Sequence, residues 1–249
     1  MRDEERTTYE ASSPSQTAQS VDGTVHVVDI LGVLVHGVTN EQAMQLMRGM
    51  IEEGSPHHVV TVNPEFVMLA RRNQEFKRVL RSATLALPDG VGILYAARLL
   101  GVRVKERVAG VDCVYGLASL AAMQGFSIFL LGAAPGVAEH VGDVLRARNP
   151  GLRIAGCYAG SPEPSEEDHI CGLIASTAPD ILLVAYGAPK QDLWIARTRE
   201  RLRIYCRDGD PLQEPAISSY GRAALAGRVL PKYAAREPIS DYLDSNRSQ

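Results

Sequence analysis

Short apolar runs alternate with longer stretches in which apolar residues recur every three or four positions, and this rhythm continues through most of the chain. The short runs predict strands and the periodic stretches predict helices. Residues 26–34 read as a short β-branched strand. Thr39 or Asn40 caps the next helix, with Thr39 and Gln42 at capping-box spacing and Ala43, Leu46, Met47 and Met50 as its apolar stripe. Residues 58–62 predict a buried strand. Asn63-Pro64 follows at once, and Pro64 suits a first helical turn because its missing N–H has no partner to lose there. Phe66, Val67, Leu69, Ala70 and Phe76 carry that helix onward. Residues 84–87 predict a strand, which Pro88-Asp89-Gly90 turns into a helix over 91–100.

The second half repeats the scheme. Residues 127–131 are a strand, the stretch from Gly132 to Gly136 turns, and Val137, Val141, Val144 and Leu145 mark a helical face. Residues 152–157 predict a strand, 165–177 a helix with Ser165 and Asp168 at capping-box spacing, and 180–185 a strand. A helix over 191–202 closes the series. Such alternation predicts an α/β fold: a Rossmann-like, mainly parallel sheet covered by helices, with ligands collecting beyond the strand ends. Residues 27–203 form this domain. Residues 1–26 are polar and aperiodic and read as a disordered leader. Residues 204–249 scatter Gly209, Pro211, Pro215, Pro231 and Pro238 among charges and read as an atypical appendage or disordered tail. A helix near residues 220–229 is weakened by Gly221 and Gly227.

Composition narrows the function. A net charge of -3 gives no electrostatic reason to expect nucleic acid as partner. Cys113, Cys157, Cys171 and Cys206 form no CxxC pair and no zinc spacing, and they read as thiols in a reducing compartment. No apolar run is long enough to span a bilayer, which leaves peripheral attachment open.

Four polar constellations fall at predicted strand ends. In Thr61-Val62-Asn63-Pro64, the Thr hydroxyl and Asn amide can bind sugar or phosphate oxygens, or Asn63 simply caps a helix. In Leu87-Pro88-Asp89-Gly90, Asp89 can take a proton from a sugar hydroxyl or cap the next helix. The Gly132-Ala133-Ala134-Pro135-Gly136 loop can receive a diphosphate on its N–H groups, although it is neither GxGxxG nor a Walker loop; an ordinary turn is the alternative. In Tyr186-Gly187-Ala188-Pro189-Lys190-Gln191-Asp192, Lys190 can balance phosphate charge and Gln191 can orient a hydroxyl or diphosphate oxygen. Arg107 offers a forked donor for a diphosphate, or else Glu106 and Arg107 form a solvated surface. The six histidines lack HExxH or triad spacing and read as surface or turn residues, and Trp194 reads as packing. The Asp208-Gly209-Asp210 string does not follow a strong strand, so no metal is expected there.

Taken together, TVNPEFVMLARR at residues 61–72, LPDGVGILYAARLLG at 87–101, ERVAGVD at 106–112, FLLGAAPGVAEHV at 129–141 and PDILLVAYGAPKQDLWI at 179–195 resemble the WecG/TagA/CpsF family of bacterial glycosyltransferases. The resemblance implies an inverting transfer of an N-acetylhexosamine, N-acetylmannosamine foremost, from a UDP-sugar to N-acetylglucosamine on a polyprenyl diphosphate, in teichoic acid or exopolysaccharide synthesis. It implies no cofactor beyond the donor. It places the protein in the cytoplasm at the inner membrane face, with a homo-oligomer as a further expectation. By the family pattern Asp89 matches the general base, Thr61 and Asn63 the polar pocket, and Arg107 and Gln191 the diphosphate contacts; Gly132, Gly136, Tyr186, Gly187, Pro189 and Lys190 form the candidate donor-binding loops. The chain departs from the pattern at Asp192, where the family's PKQE has Glu, and after Arg203, where the family's Gly-rich strand, Phe-Asp pair and basic aromatic stretch are missing. That departure implies impaired activity or dependence on a partner. It also motivates the alternative of a non-catalytic family remnant with a regulatory or assembly role. A nucleotide-dependent oxidoreductase is disfavoured, because GxGxxG and an acidic ribose-binding signal are both absent.

Overall fold

The computed structural model describes residues 25–205 and 223–226. Two short strands come first, β1 (Val27–Ile30) and β2 (Val33–His36), paired antiparallel. The sequence predicts one strand here; the structure breaks it at a tight turn in which Leu31 and Gly32 both take positive φ. The expected leader lies outside the described residues except for its last two.

Among the described residues the main sheet has six strands, all paired in parallel, in the order β4-β3-β8-β7-β5-β6. They are β3 (His57–Val62), β4 (Leu85–Pro88), β5 (Ser127–Gly132), β6 (Arg153–Tyr158), β7 (Ile181–Ala185) and β8 (Ala223–Ala226). Every residue of β4, β5 and β7 is buried, as expected of strands covered on both faces. One face packs on α1 (Asn40–Glu53), α5 (Gly110–Gln124) and α6 (Val137–Arg148), through Met47, Ile51, Leu117, Ala121, Val141 and Leu145. The other face carries α2 (Pro64–Arg72), α3 (Gln74–Arg81), α4 (Val91–Leu99), α7 (Glu167–Thr177) and α8 (Lys190–Tyr205). The Rossmann-like α/β reading therefore holds.

Local signals explain most helix starts. Thr39 and Gln42 form a reciprocal capping box at α1. Pro64 stands in the first turn of α2, where Asn63 accepts the Phe66 N–H at 3.0 Å. The single helix predicted through Phe76 is two, because Asn73 leaves helical geometry and caps α3 by accepting the Phe76 N–H at 2.9 Å. Ser165 and Asp168 form no capping box: Pro164–Glu166 is a 3-10 turn and α7 starts without a side-chain cap. Asp180 lies before β7 and accepts instead from the Ser127 backbone N–H at 2.8 Å, tying the starts of β5 and β7.

Two elements have weak sequence signals. Helix α5, GVDCVYGLASLAAMQ, is apolar or small around most of its circumference, so it shows no stripe against a polar background. Residues 223–226 form a strand, not part of the helix expected near 220–229. The sequence AALA favours a helix locally, but β3 and β7 both present backbone groups to it, and parallel pairing on both sides satisfies them. The rest of residues 206–249 lies outside the described residues.

Gly132 has φ +99°, and a Cβ there would stand 2.8 Å from the Ala185 carbonyl carbon. Gly132→Ala should cost about 2 kcal/mol or more in urea denaturation. Gly49, exposed within α1 with nothing within 4 Å of a built Cβ, is the control. Gly49→Ala should stabilise by about 0.5–1 kcal/mol.

Candidate functional site

Because the six strands are parallel, Val62, Pro88, Gly132, Tyr158 and Ala185 all end at one edge of the sheet. From β3 the chain crosses outward to β4, and from β5 it crosses the opposite way to β6. The crevice between these directions is where open α/β sheets receive ligands.

The first wall is built around β3 and β4. The Asp89 N–H donates to the Val62 carbonyl at 2.8 Å, so the turn after β4 is pinned to the end of β3. Helix α4 has Gly90 as its N-cap and no side-chain cap, so Asp89 does not serve it as one. The Asp89 carboxylate instead accepts the Gly110 N–H at 3.4 Å. Gly110 presses on Thr61, whose Oγ1 would lie 3.3 Å from a Cβ at that position. The Pro88 carbonyl accepts the Val108 N–H at 2.9 Å, which sets the segment that carries Arg107. Arg107 is exposed, and its carbonyl accepts from the Asn40 amide at 3.4 Å. Glu106 is not merely solvated: its carboxylate accepts the Asn40 N–H at the start of α1. Thr61, Asn63, Asp89 and the Arg107 segment thus share one wall. Asn63 spends its side-chain oxygen on the helix cap, as its bland reading requires.

The second wall follows β5 and β7. Gly132 and Ala133 cross behind Ala185, and the Ala133 N–H donates to the Ala185 carbonyl at 3.0 Å. Gly136 takes φ +83° at the start of α6, which has no side-chain cap. Tyr186 packs edge-on against Trp194, with ring centroids 6.0 Å apart. Burial, helped by Glu166 and Tyr158, raises the Tyr186 hydroxyl above its ordinary pKa. The Ala188–Pro189 peptide is cis. Gly187 and Gln191 clasp each other: the Gly187 N–H donates to the Gln191 side-chain oxygen, and the Gln191 N–H to the Gly187 carbonyl, both at 3.0 Å. Gln191 is fully buried, with its Nε2 unpartnered among the described residues, whereas Lys190 is exposed.

Two contacts join the walls. Ala188 packs against the core cluster that holds Val62 and Phe66. Beneath it, His58 Nε2 of β3 stands 3.4 Å from Asp192 Oδ1 of α8, both residues being almost completely buried. Neither Asp192 oxygen nor His58 Nε2 has a hydrogen-bond partner among the described residues. This pair was not picked out in the sequence, where the histidines read as surface or turn residues. Its only signal is a histidine inside the buried run HHVVTV. His36 is half-buried, and its Nδ1 accepts the Ala86 N–H at 3.0 Å; loss of solvent around it holds its pKa below the usual value. Trp194 is fully buried, as its packing role predicts.

Cys206 lies outside the described residues, and the two most buried thiols offer little nucleophilic chemistry. Burial, with the Asp112 and Asp89 charges adding, pushes Cys113 up to about 12, and burial lifts Cys171 to about 11. Among the described residues no three His, Cys, Asp or Glu side chains are placed to hold a metal ion, and Asp208 and Asp210 lie outside them.

A parallel sheet with a polar crevice at its switch point defines an α/β protein of the ligand-binding, doubly wound class. The profile of the glycosyl transferase WecG/TagA/CpsF family matches residues 28–207, and the chain belongs to that family. Among its relatives is the N-acetylglucosaminyldiphosphoundecaprenol N-acetyl-beta-D-mannosaminyltransferase of Bacillus spizizenii, 32% identical over 60% of this chain and 57% of the relative. The protein of the same name from Bacillus subtilis is 33% identical over 57% of this chain and 54% of its own length. That from Staphylococcus aureus is 28% identical over 68% and 66%. The chain therefore spans little more than half to two thirds of the curated relatives it matches.

The buried pair can be tested by urea denaturation of one single and one double variant. Asp192→Ala, which strands His58, should cost about 3 kcal/mol. Replacing both residues by Leu should recover most of that loss.

Proposed function

We propose that the protein is an inverting glycosyltransferase. It moves an N-acetylhexosamine, N-acetylmannosamine foremost, from a UDP-sugar to N-acetylglucosamine on a polyprenyl diphosphate, in teichoic acid or exopolysaccharide synthesis. The observation that carries this reading is the Asp89 carboxylate. It stands at a strand end beside Thr61, turned away from helix capping, inside the matched family segment. In the proposed step Asp89 takes the proton of the acceptor hydroxyl. The freed oxygen attacks the anomeric carbon from the face opposite the leaving group, the bond to the UDP oxygen breaks, and UDP departs with the electron pair. Arg107 and Lys190 are exposed cations at the two walls and suit the charge that develops on the diphosphate. Gln191 has a buried amide N–H group to offer, and Thr61 and Asn63 line the acceptor side. Gly132, Gly136, Tyr186, Gly187 and Pro189 shape the donor side.

Among the described residues no helix is long and apolar enough to cross a membrane. In this reading the enzyme works in the cytoplasm, peripheral to the inner membrane face, where a lipid-linked acceptor resides; a homo-oligomer is compatible with it. The second reading is a non-catalytic family member with a regulatory or assembly role. It draws on the family match ending at residue 207 while the chain runs on to Gln249.

A panel of radiolabelled UDP-sugars with a lipid-linked acceptor separates the two. Turnover by the wild type should fall about a hundredfold or more in Asp89→Asn, with UDP affinity nearly unchanged. Equal turnover of both proteins removes Asp89 from the role, and no turnover with any donor favours the second reading. Arg107→Ala should weaken UDP or lipid-diphosphate binding in calorimetry while stability stays within about 0.5 kcal/mol, since its side chain is exposed. A variant that unfolds would make Arg107 structural.

A further inference from the structure

Helix α4 buries Ile93 and Ala97 in the core and turns the opposite side outward. Val91, Tyr95 and Leu99 follow one another at four-residue spacing, which stacks them on one face of the helix. They are 65%, 68% and 88% exposed, and Leu100 just beyond is 56% exposed. On the neighbouring helix α2, Pro64 abuts Gly92, and Met68, one turn further along, is exposed too. Burying apolar side chains on the sheet is the usual reason for an amphipathic helix, yet α4 keeps a second apolar face in water.

The charges that follow this stripe along the chain are cationic with one exception, and Glu65, exposed on the neighbouring α2, is engaged in an interaction of its own. Between residues 91 and 107 the cations are Arg98, Arg103, Lys105 and Arg107, all exposed and none in an ion pair among the described residues. The one acid there, Glu106, is engaged by the Asn40 N–H. An apolar ridge edged by unpaired cations is complementary to an anionic bilayer surface, where apolar side chains enter the acyl boundary and cations meet headgroups. We propose that the α4 face, Val91, Tyr95, Leu99 and Leu100 with Arg98 and Arg103, docks the protein on an anionic lipid surface. The stripe starts two residues after Asp89, so docking sets the crevice mouth next to the headgroups. This deepens the reading above, in which the acceptor is lipid-linked. A second copy of the chain is a poorer occupant. Three side chains on a nine-residue helix, with Leu100 just beyond it, fall short of the roughly 800 Å² per partner that a stable dimer buries. A twofold contact through α4 would also bring like charges together.

The test is co-sedimentation of the full chain with phosphatidylcholine vesicles, with and without phosphatidylglycerol, beside sedimentation velocity without lipid. The wild type should bind the anionic vesicles and release them as salt rises. Tyr95→Glu with Leu99→Glu should lower the bound-to-free ratio about tenfold or more. Arg98→Glu with Arg103→Glu should abolish the preference for anionic lipid. Unchanged melting curves are expected for both variants, since these side chains are exposed. Wild type that ignores anionic vesicles, or variants that bind like wild type, overturns the proposal. So does a stripe variant whose only effect is to dissociate a dimer. Vesicle binding needs no turnover. A chain that binds lipid but transfers no sugar defeats the functional reading and leaves this surface standing; one that glycosylates a water-soluble acceptor but ignores vesicles does the reverse.

Discussion

The structure depends on one constraint of backbone hydrogen bonding. Strands β3 and β7 belong to different halves of the sheet, and each must pair on both sides. They lie two strand spacings apart, roughly 10 Å. The space between them is filled by four residues, Ala223–Ala226, that pair in parallel with both. Without that strand the molecule would be a pair, β4-β3, and a triplet, β7-β5-β6, each with an open inner edge. Both walls of the crevice hang on those halves, so the spacing between Asp89 and Gln191 is a property of the inserted strand before it is a property of either loop. The contacts of Ala188 with the β3 core and of Asp192 with His58 span the two halves at that spacing.

The crevice shows how polar residues divide between holding and reaching. Asn63 caps a helix, Glu106 fastens a loop to α1, and the Gln191 oxygen closes its own turn on Gly187. These bonds fix the loops. What remains without a partner among the described residues is the Gln191 amide nitrogen, beside the exposed heads of Arg107 and Lys190, while the Asp89 carboxylate holds the Gly110 N–H. A residue can therefore satisfy its structural explanation and still serve a ligand, because an amide or carboxyl group has more than one valence for hydrogen bonds.

Much of this was legible in the chain itself. Fully buried parallel strands are continuous apolar runs, so β3, β4, β5 and β7 announce themselves, and the polar residues just past them mark the crevice edge. Signals failed where tertiary context outweighed local preference. The AALA strand is helix-prone until β3 and β7 claim it. Helix α5 is too uniformly apolar to show a face. The break at Asn73 depends on a cap that one more helical turn would have hidden. The buried His58–Asp192 contact joins residues 134 positions apart in the numbering, a partnership that no local spacing encodes.

The central strand is also the last of the described strands to be made. A ribosome delivers β3 through β7 before residues 223–226 leave the exit tunnel, so a nascent chain holds two half-sheets that cannot yet join. Closing the sheet requires a contact between Val59 and Leu225, distant in the chain, which makes it a slow, late event. Until then the inner edges of β3 and β7 stay exposed to other chains. Synthesis that stops short of β8 should yield a product prone to edge-to-edge association, and in the cell its fate falls to chaperones and proteases.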